Sequence, residues 1–280
     1  MSETKLVLLG TAGGPMPKRT RSAPAHAVIV DGVTYVVDCG NGVARQLALA
    51  GIGFRSLRAV FVTHHHSDHN ADYGNLLLLS WTGGLDTPVD AYGPPPLRAM
   101  TEQFLTLNAY DIATRIADEG RPPLASLIRA HEIDRAGEVY RDERVAVRCV
   151  TVAHPPVEPA LAFRFDTPDR SIVFSGDTAP CRSLIELARG ADVLVHEVLY
   201  EPALDEICAR LANATRLRRH LLDSHTTQDQ VGAVAREAGV KTLVLSHFVP
   251  ADPVPEESWR AAAAAHFDGE LIVGRDLMVI

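Results

Sequence analysis

Residues 64–69 read His-His-His-Ser-Asp-His, four histidines and an aspartate in six consecutive positions. Neutral imidazoles and carboxylates are the donors that zinc takes at about 2.0 to 2.2 Å, and a catalytic zinc keeps one coordination position open for water. The run is internal and directly follows an apolar stretch, and a hydrophobic core could not easily satisfy so many ring nitrogens. If the backbone stays extended after the strand, His64 and His66 project to the same side and can share one ion. Asp68 and His69 follow at the next bend and can face a second. His65 points the other way and is expected to be structural.

Further donors stand at the ends of other apolar runs: His154 in TVAHPP, Asp177 in FSGDT and His247 in LVLSHF. Singly each reads as a cap or a supporting group, but together with the histidine run they offer donors for two metal sites.

The elements that would carry them follow from short β-rich runs punctuated by Gly and Pro. Strands are expected at 5–11, 26–32, 33–40 and 59–64, with Asp31-Gly32 as the hairpin turn between the second and third. A helix is expected at 41–52, ending at Gly51, and strands again at 160–167, 171–178, 191–198 and 241–248. Two mixed halves of this kind imply two sheets packed face to face with helices outside. Residues 94–130 differ: proline clusters bound a helical spacing of Leu105, Ala109, Ile112 and Ile116, which suits a lid, a dimer contact or ordinary packed helices.

The 280 residues suffice for a single domain, 1–280. Hydrophobic residues are 46% and charged residues 22%, the balance of an ordinary globular protein. Lys plus Arg is 27 against 35 for Asp plus Glu, hence 27 − 35 = −8, which repels polyanions unless a basic patch is local. The opening MSETKLVLLG has too short an apolar run for a signal peptide, and no stretch is long enough to span a bilayer. A cytoplasmic chain with no membrane partner is therefore expected. Cys39, Cys149, Cys181 and Cys208 are scattered, as reduced packing thiols would be.

The order H-x-H-x-D-H, single His, Gly-Asp-Thr and final Ser-His resembles the metallo-β-lactamase superfamily across essentially the whole chain. The resemblance implies an α+β fold, a four-layer αββα sandwich. By position it implies His64, His66 and His154 on one metal, Asp68, His69 and His247 on the other, and Asp177 bridging. Two divalent ions, zinc first and manganese or iron as alternatives, would hold a hydroxide that Asp68 orients. Segments 9–24, 193–200 and 224–250 are similar to the ribonuclease Z branch, which also holds phosphodiesterases and arylsulfatases. That likeness makes His225 the acid that protonates the leaving oxygen and Glu197 its support.

The interval 155–176 is too short for the extended clamp of transfer RNA endonucleases, and the chain ends its motif in the acidic SHFVPADPVPEES. KRTR (18–21) and RLRRH (216–220) could attract an anion, and 201–225 should overhang the site. The resulting expectation is a dinuclear hydrolase of a small-molecule ester (a phosphodiester, an aryl sulfate, or a carboxylic ester or lactone), homodimeric, with nucleic acid disfavoured. A tRNA 3′-processing endonuclease and a non-enzymatic metal-binding regulator are the alternatives.

Overall fold

In the first strand, β1 (Thr4–Gly10), Leu6 and Leu8 turn to one face and Val7 and Leu9 to the other, and all four are buried. A strand covered on both faces reads as an almost continuous apolar run. The computed structural model describes residues 3–209, 214–252 and 254–280. In it β1 is followed in the same sheet by β2 (Ala25–Val30), β3 (Val33–Val37), β4 (Leu57–Phe61), β5 (Val89–Gly93) and β6 (Ile128–Glu132). A second sheet holds β7 (Gly137–Arg141), β8 (Ala146–Val152), β9 (Ala160–Asp166), β10 (Ser171–Phe174), β11 (Val193–Leu199), β12 (Thr242–Val249) and β13 (Glu270–Val273) in adjacent order. The last strand, β14 (Met278–Val279), pairs with β1.

The inner faces meet in one core. Phe61 of the first sheet packs edge-on against Phe163 and Phe165 of the second, with ring centroids 5.5 and 5.1 Å apart, the geometry that aromatic quadrupoles favour. The outer face of the first sheet is covered by helices Val43–Leu49 and Tyr73–Thr82. That of the second is covered by Arg182–Ala188, Gln228–Ala238 and Glu256–Ala264. Four layers, αββα, result. The hairpin turn falls at Asp31 and Gly32, with φ of 49° and 80°, the left-handed pair that suits a right-twisted hairpin.

Two differences from the expected elements have physical reasons. Strands β6 and β7, near the sheet edges, carry the polar sequences IRAHE and GEVYR and are mostly half-buried or exposed, so no apolar run marks them. The expected strands 33–40, 59–64 and 171–178 stop early, at Val37, Phe61 and Phe174. There the chain leaves the sheet: Asp38 has φ 61° and Gly176 φ 59°. At Gly176 a side chain would also strike the Leu161 carbonyl at 2.6 Å. Residues 94–130 form helices Leu97–Leu107, Ala109–Glu119 and Leu124–Leu127, whose Leu105, Ile112 and Ile116 pack with Leu78, Trp81, Leu124 and Leu127.

Candidate active site

Strands β3 to β6 are mutually parallel, as are β10 to β13. Strand β8 runs in the same direction as β10, because both are antiparallel to β9. The segments that follow β3, β4, β8 and β10, and the end of β12, therefore emerge at one edge, where rigid strands can present residues from distant parts of the chain. After β4 the backbone stays extended to His66 (φ −71°, ψ 146°) and then turns into the short helix Ser67–Asn70. This brings His64 and His66 to one side and returns Asp68 and His69 beneath them.

All seven expected donors converge. His64 Nε2 and His154 Nε2 lie 3.1 and 3.2 Å from His66 Nδ1, and 3.9 and 4.0 Å from Asp177 Oδ2. His247 Nε2 stands 3.4 Å from Asp68 Oδ2 and 3.3 Å from Asp177 Oδ2, while His69 Nε2 stands 3.7 Å from Asp68 Oδ2 and 3.3 Å from Asp177 Oδ1. Asp177 thus adjoins both sets. The donors His64, His66, His154 and Asp177 form one group within 4.8 Å of one another, and Asp68, His69 and His247 form a second.

The electrostatics fit divalent cations. Burial holds His64 and His154 below their ordinary value and pushes His66 down to about 4, so these rings are neutral and can offer lone pairs. Burial also works against charge on His69 and His247, but Asp177 and its neighbours outweigh it and pull both upward: the carboxylates call for positive charge. His69 Nε2 and Asp177 Oδ1 are buried with no hydrogen-bond partner, an orphaning that native interiors seldom tolerate. A divalent cation held by these donors would remove it.

His225 precedes helix Gln228–Ala238, whose N-terminus is closed by a Thr227–Gln230 capping box. The preceding turn is pinned by Leu199 N–H donating to the Thr226 carbonyl and by the Thr226 hydroxyl donating to the Thr178 carbonyl. His225 is 5% exposed, and its Nδ1 meets Glu197 Oε1 at 2.9 Å, an oxygen that also accepts from Thr178 N–H at 2.9 Å. A ring nitrogen of His225 reaches to within 4.8 Å of Asp177 and His247 donor atoms. Burial opposes its charge, but Glu197 prevails and lifts His225 to about 9. His65 turns away as expected: its Nε2–H donates to the Pro94 carbonyl at 2.7 Å and its Nδ1 accepts from Asn70 at 3.0 Å.

Three site residues escaped the sequence reading. Asp38 accepts from His69 Nδ1 at 2.8 Å, from Thr63 N–H at 2.8 Å and from the Thr63 hydroxyl at 3.0 Å. The Ser224 carbonyl takes His154 Nδ1–H at 2.9 Å. His220 stands beside the donors, its ring centroid 6.3, 6.0 and 6.1 Å from those of His66, His154 and His225, and burial and the charge of His225 lower its pKa. For Asp38, a carboxylate ending a strand next to the strand that carries the histidine run was an available signal.

The mouth over the donors is a cavity of ≈ 240 Å³, lined by Gly14, Pro15, Leu217, His220, Leu221 and Val249 among others. Of the expected overhang 201–225, Leu217, His220, Leu221 and His225 line it, 201–209 do not, and 210–213 lie outside the described residues. The basic segments divide. Arg21 is drawn inward, 4.2 Å over the Phe248 ring and donating to Thr11 Oγ1 and Gly274 O, whereas Arg19 is exposed. Arg218 and Arg219 lean on Asp205 and Asp223, and Arg216 is exposed with no ion-pair partner among the described residues. All four cysteines are free, and Cys39, Cys149 and Cys208 are buried. No helix among the described residues is long and apolar enough to cross a membrane.

A fold of two packed sheets with a histidine and aspartate cluster at one edge defines the class, and the family profile described as "Beta-lactamase superfamily domain" matches residues 34–248. The chain belongs to the metallo-β-lactamase superfamily, in its ribonuclease Z-like branch. A Ribonuclease Z of Mycobacterium bovis is 38% identical over 277 residues, covering 98% of this chain and 96% of that one. A Ribonuclease Z of Mycolicibacterium gilvum is 35% identical, covering 98% and 94%. A metallo-β-lactamase fold protein of Bacillus subtilis superposes with TM-score 0.74 at 22% identity, covering 99% of both chains. The human short-form tRNase Z gives 0.71 at 21%, covering 99% and 98%. These two show the shared fold.

The comparisons overturn the expectation of a small-molecule ester hydrolase for which nucleic acid is disfavoured. Neither the net charge nor the missing clamp decides the substrate. Net charge is a property of the whole chain, whereas a polyanion feels the local field, and exposed Arg216 lies on the helix that lines the mouth. The missing clamp does not discriminate either, since 96% of the mycobacterial relative is matched by this chain and little of it lies outside the match. The chain is a hydrolase by family.

Proposed function

We propose that this chain, acting as one domain over 1–280, is a metal-dependent endoribonuclease that removes the 3′ trailer from precursor transfer RNA. The observation that carries the reading is the His225–Glu197 pair, 2.9 Å apart and held beside the donor cluster, in a chain 35–38% identical to proteins named Ribonuclease Z. Such a pair suits a leaving group that needs a proton, as the 3′-oxygen of a ribose does.

His64, His66 and His154 would hold one divalent ion and Asp68, His69 and His247 the other, with Asp177 serving both. Zinc is the first choice for these nitrogen and oxygen donors, manganese or iron the alternatives. When bound, the ions supply Lewis acidity and a nucleophilic water at neutral pH. Asp68, its Oδ2 fixed by Gly14 N–H at 2.9 Å, orients the attacking water and accepts its proton. Phosphorus gains the water oxygen as its bond to the 3′-oxygen breaks, and His225 gives its proton to that oxygen. Glu197 holds the His225 imidazole with Nδ1 engaged and Nε2 free for the transfer. The products are a 3′-hydroxyl on the transfer RNA and a 5′-phosphate on the trailer.

The test is a trailer-bearing precursor incubated with zinc- or manganese-supplemented protein, with the ends of both products mapped. Binding should weaken steeply with salt, because neutralised phosphates release counterions. A precursor left intact by protein that demonstrably carries its metals would refute the reading.

A further inference from the structure

His220 belongs to neither set of donors and is not needed by the mechanism above, yet it faces the mouth with Leu217, Leu221 and His225. Its hydrogen bonds settle which nitrogen is free. Helix Ala214–Ser224 places Ser224 one turn after His220, and Ser224 Oγ lies 3.2 Å from His220 Nδ1. The Ser224 hydroxyl proton is already committed, since that oxygen donates to the Pro155 carbonyl, which can only accept. Toward His220 the hydroxyl oxygen must therefore accept, and the neutral imidazole carries its proton on Nδ1. Nε2 is left as a lone pair, the only uncommitted polar atom of a ring that lines the mouth.

We infer that His220 Nε2 accepts a hydrogen bond from the ribose 2′-hydroxyl of the nucleotide whose 3′-oxygen leaves, so that His220 is a specificity residue that distinguishes ribose from deoxyribose at the cleaved position. This rests on the endoribonuclease reading above. His225 donates to the 3′-oxygen, and the nearest hydroxyl on the same sugar is its vicinal neighbour. Two hydrogen bonds of about 2.8 Å joined through vicinal oxygens make a bent path longer than the 6.1 Å between the two ring centroids, so one sugar edge can reach both rings. An acceptor without a proton is matched to a hydroxyl donor, which deoxyribose lacks, and the 2′-hydroxyl is the group by which proteins tell RNA from DNA. A phosphate oxygen, an acceptor itself, would be repelled by that lone pair.

The experiment is a cycle of two proteins and two substrates, with metal content measured alongside. Wild type and His220→Phe are assayed by kcat/KM on a precursor with an all-ribose backbone and on one carrying a single 2′-deoxy nucleotide at the cleaved position. One half-exposed hydrogen bond is worth about a three- to tenfold change, so the ribose-to-deoxyribose ratio should fall by that factor in His220→Phe. His220→Gln, whose carbonyl restores an acceptor, should recover part of it. Equal ratios in wild type and His220→Phe would overturn the inference, and so would loss of metal from His220→Phe, which would make His220 a support of the donor cluster. If the wild type cleaves neither precursor, the endoribonuclease reading itself has failed, a result distinct from cleavage of both at unchanged ratio.

Discussion

Replacing Asp38 by Asn tests how one buried carboxylate governs both donor sets. Its Oδ1 accepts from Thr63 N–H and its Oδ2 from His69 Nδ1–H and the Thr63 hydroxyl. The Thr63 oxygen, having given its proton to Asp38, accepts from His64 Nδ1–H at 3.1 Å. Asp38 therefore keeps the proton on Nδ1 of His69 directly and of His64 through Thr63, leaving Nε2 of each free to bind metal. In Asp38→Asn the oxygen stays with Thr63 N–H and the amide turns its donors toward His69 and Thr63. His69 must then accept on Nδ1 and carry its proton on Nε2, between Asp177 and Asp68 where a cation should sit. Backbone strain does not confuse the comparison, because Asn tolerates the left-handed φ of 61° at this position. Loss of such an orienting partner typically weakens metal affinity about 10- to 100-fold, or about 1.4 to 2.7 kcal/mol. Competition against a chromophoric zinc chelator reads this directly, with a melting curve to confirm folding. Two zinc ions retained by Asp38→Asn at wild-type affinity would refute the tautomer argument.

His225→Ala should keep both metals and lower kcat on precursor about 10²- to 10⁴-fold, the usual cost of a missing general acid; metal loss from the variant, measured by elemental analysis, would mean that His225 coordinates. Glu197→Gln tests the pH dependence. His225 is lifted to about 9 chiefly by Glu197 against the effect of burial, and as an acid it works only while protonated, so activity persists below that value and fades above it. Without the carboxylate, burial lowers the imidazole and the alkaline limb of the kcat profile moves to lower pH; an unmoved limb would sever the link. Gly13→Ala would set a methyl group 2.9 Å from the His247 ring and 2.5 Å from Val249, below ordinary contact. Zinc content should fall from two ions toward one as His247 is pushed aside, and retention of both would show that the loop yields instead.

Much of the site was legible because its spacing is local. The donors at 64, 66, 68 and 69 lie on one extended stretch and one turn, so residue type and period-two geometry suffice to set them around a cluster. His154, Asp177 and His247 were legible as polar residues closing apolar runs, which is where parallel strands deliver side chains to one edge. The strand ends were misjudged for the same reason: TYVVDCG and IVFSGDT look extended throughout, but Asp38 and Gly176 take left-handed backbone to swing the chain out over the site. Asp38 offered a weaker signal, a carboxylate closing the strand beside the one that carries the histidine run, but an aspartate after a strand is common and its partner His69 is 31 positions away.

Substrate class was hidden for a different reason. A net charge of −8 is a sum over 280 residues, while screening confines a polyanion's attraction to charges within about 10 Å at ordinary ionic strength. Near the mouth the acidic residues are paired locally: Asp205 and Asp223 lie on Arg218 and Arg219, and Asp68 and Asp177 face the donor histidines. With two divalent ions in place, the four positive charges they carry would reverse the sign of the field at the mouth, which is what an approaching phosphate meets. His220 illustrates the same limit. In RLRRH it reads as one more solvated basic residue. Its chemistry is decided by a serine four positions later and a proline carbonyl from a different part of the chain, which together place the imidazole proton on Nδ1.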